Sequence, residues 1–118
     1  MSRLSPIETD IVKRLSAALE KGYPEAEGVV VFGSRARGTS HEDSDLDVAV
    51  ILDTNRIAKD NWDRVWQVKW AVLEQLDAED FPLSLMLIPK SEYETAESGV
   101  ELEIRREGIP VWHRKKMR

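Results

Sequence analysis

The segment from Gly28 to Asp53 constrains the fold of this chain more than any other stretch. Gly28 to Phe32 is a short apolar run rich in β-branched residues, which suits a buried strand and is too short for a helix. The run ends at Gly33-Ser34, and glycine lets a backbone turn sharply and approach a ligand closely. A helical turn beginning at Ser34 would direct unpaired N–H groups at whatever lies above the strand. The segment therefore predicts a strand followed by an anion-binding turn.

Two acidic side chains open the next predicted strand. Asp45 and Asp47 alternate with apolar residues in and just before the run Leu46 to Leu52, so both carboxylates point to one face of a sheet. Two adjacent carboxylates repel each other unless a cation lies between them. Magnesium meets that need, because it takes carboxylate oxygens together with substrate phosphates. Beside an anion-binding turn, the pair indicates a metal-bound polyphosphate that spans both strands.

This segment resembles the signature of the minimal nucleotidyltransferases, the small stand-alone members of the DNA polymerase β-like nucleotidyltransferase superfamily. The resemblance is carried by Gly33-Ser34-Arg35-Ala36-Arg37-Gly38, followed by Ser44-Asp45-Leu46-Asp47. It implies that Gly33 and Ser34 bind the β- and γ-phosphates of a nucleoside triphosphate. It also implies that Asp45 and Asp47 are catalytic and hold a divalent metal, Mg²⁺ or Mn²⁺, with ATP as the substrate.

Two arginines follow the glycine-serine pair. Arg37, and after it Arg35, would balance phosphate charge as part of the nucleotide-binding site. The alternative for both is a surface salt bridge to Glu42 or Asp43. His41 is interpreted as an exposed loop residue rather than a catalytic base.

One position departs from the pattern of the superfamily. Active polymerase β-like enzymes carry a third carboxylate on a strand next to the acidic pair, whereas the corresponding run Phe81 to Ile88 places Ser84 there. A hydroxyl cannot supply the charge that steadies a metal or the base that takes a proton. Asp80 could reach inward instead, although its offset is wrong for direct replacement. The nearly continuous apolar character of this run predicts a central strand.

The other patterns predict an α/β fold, a small mixed β-sheet packed with helices, in a single domain spanning residues 1–118. Ser5-Pro6-Ile7-Glu8 is typical of a capping box that opens a helix over residues 5–21. A helix over about 60–77 carries Trp62, Trp66 and Trp70, which we interpret as core with a partner surface, rather than as a nucleotide-stacking site.

The last part of the chain predicts two further elements. A second capping box beginning at Ser91 opens a helix that restarts near Gly99 and ends near Gly108. Pro110-Val111-Trp112 then suits a short edge strand.

Composition limits the class of protein. A net charge of −5 on 118 residues argues against general nucleic-acid binding, which depends on a cationic face. The chain has no cysteine, hence no disulfide or thiolate site. We also find no charged-then-apolar leader and no long apolar run, so we expect a cytoplasmic protein without a membrane segment.

The resemblance also implies a partner. Minimal nucleotidyltransferases are commonly paired with a small helical HEPN-domain protein in toxin–antitoxin modules, where some of them add AMP to a tyrosine of the toxin. The leading hypothesis is therefore a metal- and ATP-dependent nucleotidyltransferase that acts as an antitoxin. The alternative is a degenerate domain that neutralises its partner by contact alone, as Ser84 would favour. An aminoglycoside-modifying enzyme is disfavoured, since those enzymes need a further domain to hold the drug, and a homo-oligomer stays open.

Overall fold

The computed structural model describes residues 4–37 and 45–115. In this part of the chain, five helices surround one four-stranded sheet, and every helix is too short or too polar to cross a bilayer. The helices are α1 (Pro6–Gly22), α2 (Ser34–Arg37), α3 (Lys59–Gln75), α4 (Lys90–Thr95) and α5 (Gly99–Glu107). The strands are β1 (Ala26–Phe32), β2 (Leu46–Leu52), β3 (Leu83–Pro89) and β4 (Ile109–His113).

The sheet is mixed, as the sequence predicts, and its strand order is β3-β2-β1-β4. β1 pairs antiparallel with both β2 and β4. β2 and β3 are parallel, a pairing that needs a long crossover connection. The crossover contains α3, so the sheet and its helices have the order expected of the predicted α/β fold.

Each face of the sheet is covered by a different pair of helices. Alternate residues of β1 point to opposite faces, as in any pleated strand. Val29 and Val31 pack with the apolar sides of α1 and α3, whereas Val30 packs with Ile104 of α5 on the other face. The sheet is therefore the middle layer of the molecule, and its polar residues can reach solvent only near the strand ends.

The predicted central position of β3 is wrong, because β3 lies at one edge of the sheet. Its apolar character has a different cause. Leu83 and Leu87 belong to the core shared with α1 and α3, while Ile88 belongs to the core on the opposite face. A strand covered on both faces needs apolar residues at nearly every position whether or not it has two neighbours in the sheet.

The capping box of α1 is confirmed. The backbone N–H of Glu8 donates to Oγ of Ser5 at 3.3 Å, and the backbone N–H of Ser5 donates to Oε1 of Glu8 at 2.8 Å. The second predicted capping box is wrong, since α4 begins at Lys90 and no side chain caps it. Ser91 lies inside the first turn, where its carbonyl accepts a hydrogen bond from Oγ1 of Thr95.

The tryptophans of α3 are interpreted from the sequence as core with a partner surface, and the core part of that interpretation is wrong for two of the three. Trp66 and Trp70 are 41% and 45% exposed, and their rings stack with centroids 6.1 Å apart. The buried side of α3 is instead centred on Val65 and Leu73. The indoles of Trp66 and Trp70 lie one helical position, or about 100°, away from that line, so they cover the flank of the helix.

Arg114 connects the region after β4 to the end of α1. Its guanidinium donates to the carbonyls of Leu19 at 3.2 Å, Glu20 at 3.2 Å, Tyr23 at 3.1 Å and Ala26 at 2.8 Å. The last carbonyls of a helix lack a full set of partners within the helix, and this one side chain adds donors there and in the connection from α1 to β1.

Candidate functional site

The strand ends that the sequence singles out meet at one edge of the sheet. Because β1 and β2 are antiparallel, the last residue of β1 lies beside the beginning of β2, and Phe32 pairs with Asp47. Gly33 follows with φ at +73°, a left-handed conformation that favours glycine. α2 then begins at Ser34, so the predicted turn and the acidic strand are direct neighbours.

Gly33 and Asp47 are in close contact. A β-carbon placed on Gly33 would overlap Oδ2 of Asp47 and lie 3.2 Å from its Cγ. Any side chain at this position would therefore displace the carboxylate. Glycine is required here for two reasons, the backbone conformation and the space that Asp47 occupies.

The third member of the site is Ser84. It pairs in parallel register with Asp47, and its Oγ donates a hydrogen bond of 2.8 Å to Oδ2 of Asp45. Leu46 is fully buried in the core on the other face, which fits the predicted projection of both aspartates away from that core. The strand position next to the acidic pair thus belongs to Ser84, while Asp80 is exposed and precedes β3.

The donor set suits a metal that arrives with a phosphate ligand. Among residues 4–37 and 45–115, no three side chains of histidine, aspartate or glutamate converge as a ready-made metal site. Magnesium in nucleotide sites is commonly held by one or two carboxylates together with substrate phosphates and water. Asp45 and Asp47 supply two such carboxylates beside the turn at Gly33, so the residues present fit a nucleotide-borne divalent ion.

Arg35 has a structural partner that sequence reasoning missed. Its Nε lies 2.6 Å from Oε2 of Glu8, with the two side chains only 13% and 6% exposed. Glu8 also closes the capping box of α1. Arg35 therefore anchors α2 to α1 at the base of the turn.

The other basic candidate is not described by the structure. Arg37 ends α2, but its side chain lies outside the described part of the chain, as do the acidic alternatives Glu42 and Asp43 and the loop residue His41. The assignment of Arg37 to the nucleotide-binding site stays a prediction.

Lys69 is a second residue near the site that the sequence reasoning missed. It lies on the buried line of α3 between Val65 and Leu73 and is 7% exposed. Its Nζ donates to the carbonyl of Leu83 at 3.0 Å. Burial lowers the pKa of Lys69, and the charge of Asp45 partly offsets that shift. The sequence does contain a signal for this residue, because Lys69 lies at a core position of an amphipathic helix.

A separate cavity of about 310 Å³ lies between β4 and α4 and is lined by Gly28, Tyr93 and Trp112 among others. Gly28 pairs with Ile51, near the end of β2, whereas the acidic pair lies at its start. The cavity is therefore at the opposite end of the sheet and takes no part in the site around Asp47.

Several solved structures of other proteins share the fold of this chain. A putative nucleotidyltransferase from Sulfolobus solfataricus matches with a TM-score of 0.56 and 16% identity, over 88% of this chain and 78% of that one. A toxin–antitoxin complex with AMP-PNP matches with a TM-score of 0.52 and 20% identity, over 89% and 73%. A mutant of the toxin–antitoxin MntA-HpeT matches with a TM-score of 0.52 and 17% identity, over 87% of this chain and 73% of that one. At these identities the likeness establishes the fold.

The family is shown by the sequence. No curated protein sequence matches this chain, but the family model described as polymerase beta, nucleotidyltransferase matches residues 13–117. That range includes β1, the Gly33 turn, the acidic pair and all later strands. Because the match covers nearly the whole chain and the fold agrees with it, the chain belongs to the polymerase β nucleotidyltransferase family.

Proposed function

We propose that this protein transfers a nucleoside monophosphate, AMP from ATP, to an acceptor hydroxyl on a HEPN-type toxin and thereby acts as an antitoxin. The contact between Gly33 and Asp47 carries this proposal. It brings a turn suited to phosphate within van der Waals distance of a carboxylate suited to a divalent cation. A triphosphate neutralised by such a cation can engage both groups at once.

In the proposed reaction, Gly33 and Ser34 bind the β- and γ-phosphates through backbone N–H groups and the serine hydroxyl. Asp45 and Asp47 hold the divalent ion, which neutralises phosphate charge when bound. The acceptor oxygen forms a bond to the α-phosphorus, the bond to the β-phosphate oxygen breaks, and pyrophosphate leaves with that electron pair. The hydroxyl proton passes to solvent, because Ser84 offers no base. Catalysis on this plan comes from alignment and charge neutralisation.

The choice of acceptor and partner rests on resemblance. Two of the similar solved structures are toxin–antitoxin complexes, and one of these contains AMP-PNP. Together with the signature around Gly33, they make a toxin the first partner to test and ATP the first nucleotide.

One observation favours a second function, that of a binding-only antitoxin. Ser84 donates a hydrogen bond to Asp45 and lies at the strand position where the resemblance implies a third carboxylate in active enzymes. A neutral hydroxyl binds a metal ion less strongly than a carboxylate does, and it is a weaker base for accepting a proton. Under this alternative the chain neutralises its partner by contact, and loss of Asp45 and Asp47 leaves neutralisation intact.

Both functions can be tested with a helical toxin of the HEPN type as the acceptor. The purified pair is incubated with α-labelled ATP and Mg²⁺, and label on the partner is measured together with toxin activity. The proposed function predicts label on the partner and its loss in Asp45→Asn with Asp47→Asn. Absence of transfer by the wild type, with neutralisation retained, would support the binding-only alternative instead.

Asp53→Asn is a matched control for this experiment. Asp53 is exposed and follows the far end of β2, and its backbone N–H bonds to the carbonyl of Glu25. The substitution removes one carboxylate charge at the opposite end of the same strand while leaving the acidic pair untouched. It should transfer label as the wild type does.

A further inference from the structure

Lys69 carries a buried positive charge toward the candidate site. Burying an ammonium is costly unless it finds hydrogen-bond and charge partners. Here Nζ donates to the carbonyl of Leu83. It also lies 4.2 Å and 5.0 Å from the ring centroids of Trp66 and Trp70, which shield it from water on the outer side of α3.

The position of this ammonium relates directly to the acidic pair. Leu83, whose carbonyl accepts from Nζ, is the first residue of β3 and pairs with Leu46, the residue between the two aspartates. The next residue, Ser84, donates to Asp45. The lysine thus contacts the start of β3, beside the acidic pair, from the face of the sheet that α3 covers. The charge of the Asp45 carboxylate acts on it electrostatically.

We propose that Lys69 compensates the charge of the carboxylate pair, so that the site holds one divalent cation, brought by the nucleotide, instead of two. The proposal rests on the proposed function, because it concerns the same nucleotide site. Two-metal sites clamp both the attacking and the leaving oxygens and depend on several carboxylates. One divalent ion with two carboxylates and an ammonium leaves the same net charge as two such ions with three carboxylates.

Ser84 adds no negative charge to the site. Its hydroxyl occupies the strand position beside Asp47 and engages one oxygen of Asp45. A hydroxyl is at most a neutral ligand for magnesium, so it adds no charge to attract a second ion. Lys69 and Ser84 therefore both make the site less negative than a site with three carboxylates. Lys69 is a positioning residue for the metal-bound nucleotide.

The test counts bound ions in the presence of a saturating non-hydrolysable ATP analogue. Mn²⁺ is titrated into the full chain, free Mn²⁺ is followed by its paramagnetic resonance signal, and the Mn²⁺ bound by the analogue in a protein-free titration is subtracted. We expect one ion per wild-type chain, and two in Lys69→Met with Ser84→Asp. Two ions per wild-type chain, or one in the double variant, would overturn the inference. The wild-type count does not depend on whether any variant folds.

A single substitution separates the charge role from a merely structural one. Removing one unit charge near the ion should raise the apparent Mn²⁺ affinity of Lys69→Met by about tenfold, because like charges repel across a partly desolvated site. A purely structural lysine would leave that affinity unchanged or reduce it, and either result would count against the proposal. Lys59→Met, which removes an exposed lysine paired with Asp63 on the same helix, should behave as the wild type.

This experiment also distinguishes two kinds of failure. If the wild type binds two ions with the analogue, the site works as a nucleotide site and only the role of Lys69 is refuted. If the wild type binds no Mn²⁺-dependent nucleotide at all, the proposed function fails together with this inference.

Discussion

A carboxylate oxygen of Asp47 occupies the space in which a β-carbon of Gly33 would lie. The two residues come from different strands, and the antiparallel register places Phe32 opposite Asp47. The turn at Gly33 and the start of β2 are consequently in direct van der Waals contact, with no space for a side chain at Gly33. The first prediction follows from this fit.

Gly33→Ala should damage the site more than the fold. The substitution forces a side chain into a left-handed backbone conformation and against Asp47, at a cost of about 1–3 kcal/mol in unfolding free energy. Because Asp47 must move, we expect Mg²⁺-dependent nucleotide binding to fall by at least about tenfold. Calorimetry and urea unfolding measure the two effects. Gly22→Ala is the control, since a β-carbon there meets no atom within 4 Å; equal binding by the two variants would contradict the prediction.

Glu8→Gln should destabilise the protein by about 3 kcal/mol, because it removes the negative charge that is paired with the buried guanidinium of Arg35. Glutamine can still complete a capping box, so the loss reports on the ion pair of 2.6 Å between Arg35 and Glu8. Urea unfolding of both single variants and the double variant Glu8→Gln with Arg35→Met measures the coupling. Additive losses would exclude a direct interaction, and Glu20→Gln, at an exposed position of the same helix, should change little.

Tyr23→Phe should lower the unfolding free energy by about 1–2 kcal/mol, because Nδ2 of Asn61 then loses a buried acceptor. The bond from Asn61 to Oη of Tyr23 is 2.6 Å long, and Tyr23 is 1% exposed. Asn61→Ala should cost more, since Oδ1 of Asn61 also accepts the N–H of Ala58 at the start of α3. Chemical denaturation ranks the two variants. Nucleotide binding should be unchanged in both, and the reverse order of stability would contradict the assignment.

Tyr93 should make the stability of the protein depend on alkaline pH. Burial raises the pKa of Tyr93 above its ordinary value of 10.0, and the charge of Arg105 offsets only part of that shift. The folded state therefore holds the phenolic proton more tightly than the unfolded state. Its contribution is complete below pH 10 and is lost as the pH rises through the folded pKa. Urea unfolding at increasing pH above 10 should show a steeper loss for the wild type than for Tyr93→Phe, and parallel curves would refute this.

The elements that the sequence alone predicts well are those with local signals. The last residue of β1, both ends of β2, the turn at Gly33 and the box at Ser5 all depend on neighbouring residues and short periodicities. The same holds for the projection of Asp45 and Asp47, which follows from the alternation of a strand. These features place most of the candidate site before any tertiary contact is known. The start of β1 lies two residues before the predicted Gly28.

The missed features depend on contacts between distant parts of the chain. The apolar character of β3 reports burial on both faces, and this does not distinguish an edge from a centre. Arg35 finds Glu8 on another helix, and no sequence spacing encodes that pairing. Lys69 is buried because Leu83 offers a carbonyl and two indoles cover it, although its place in the apolar stripe of α3 is visible in the sequence.

Arg114 ties the region after β4 to the final turn of α1 and to the connection into β1, through four backbone carbonyls. If β4 detaches from β1, the guanidinium moves with it and those carbonyls lose one donor each. Opening of the last described strand is therefore coupled to opening of the C-terminal turn of α1. Amide protons in the last turn of the first helix and in the last strand should exchange with solvent in a single cooperative opening, as one foldon.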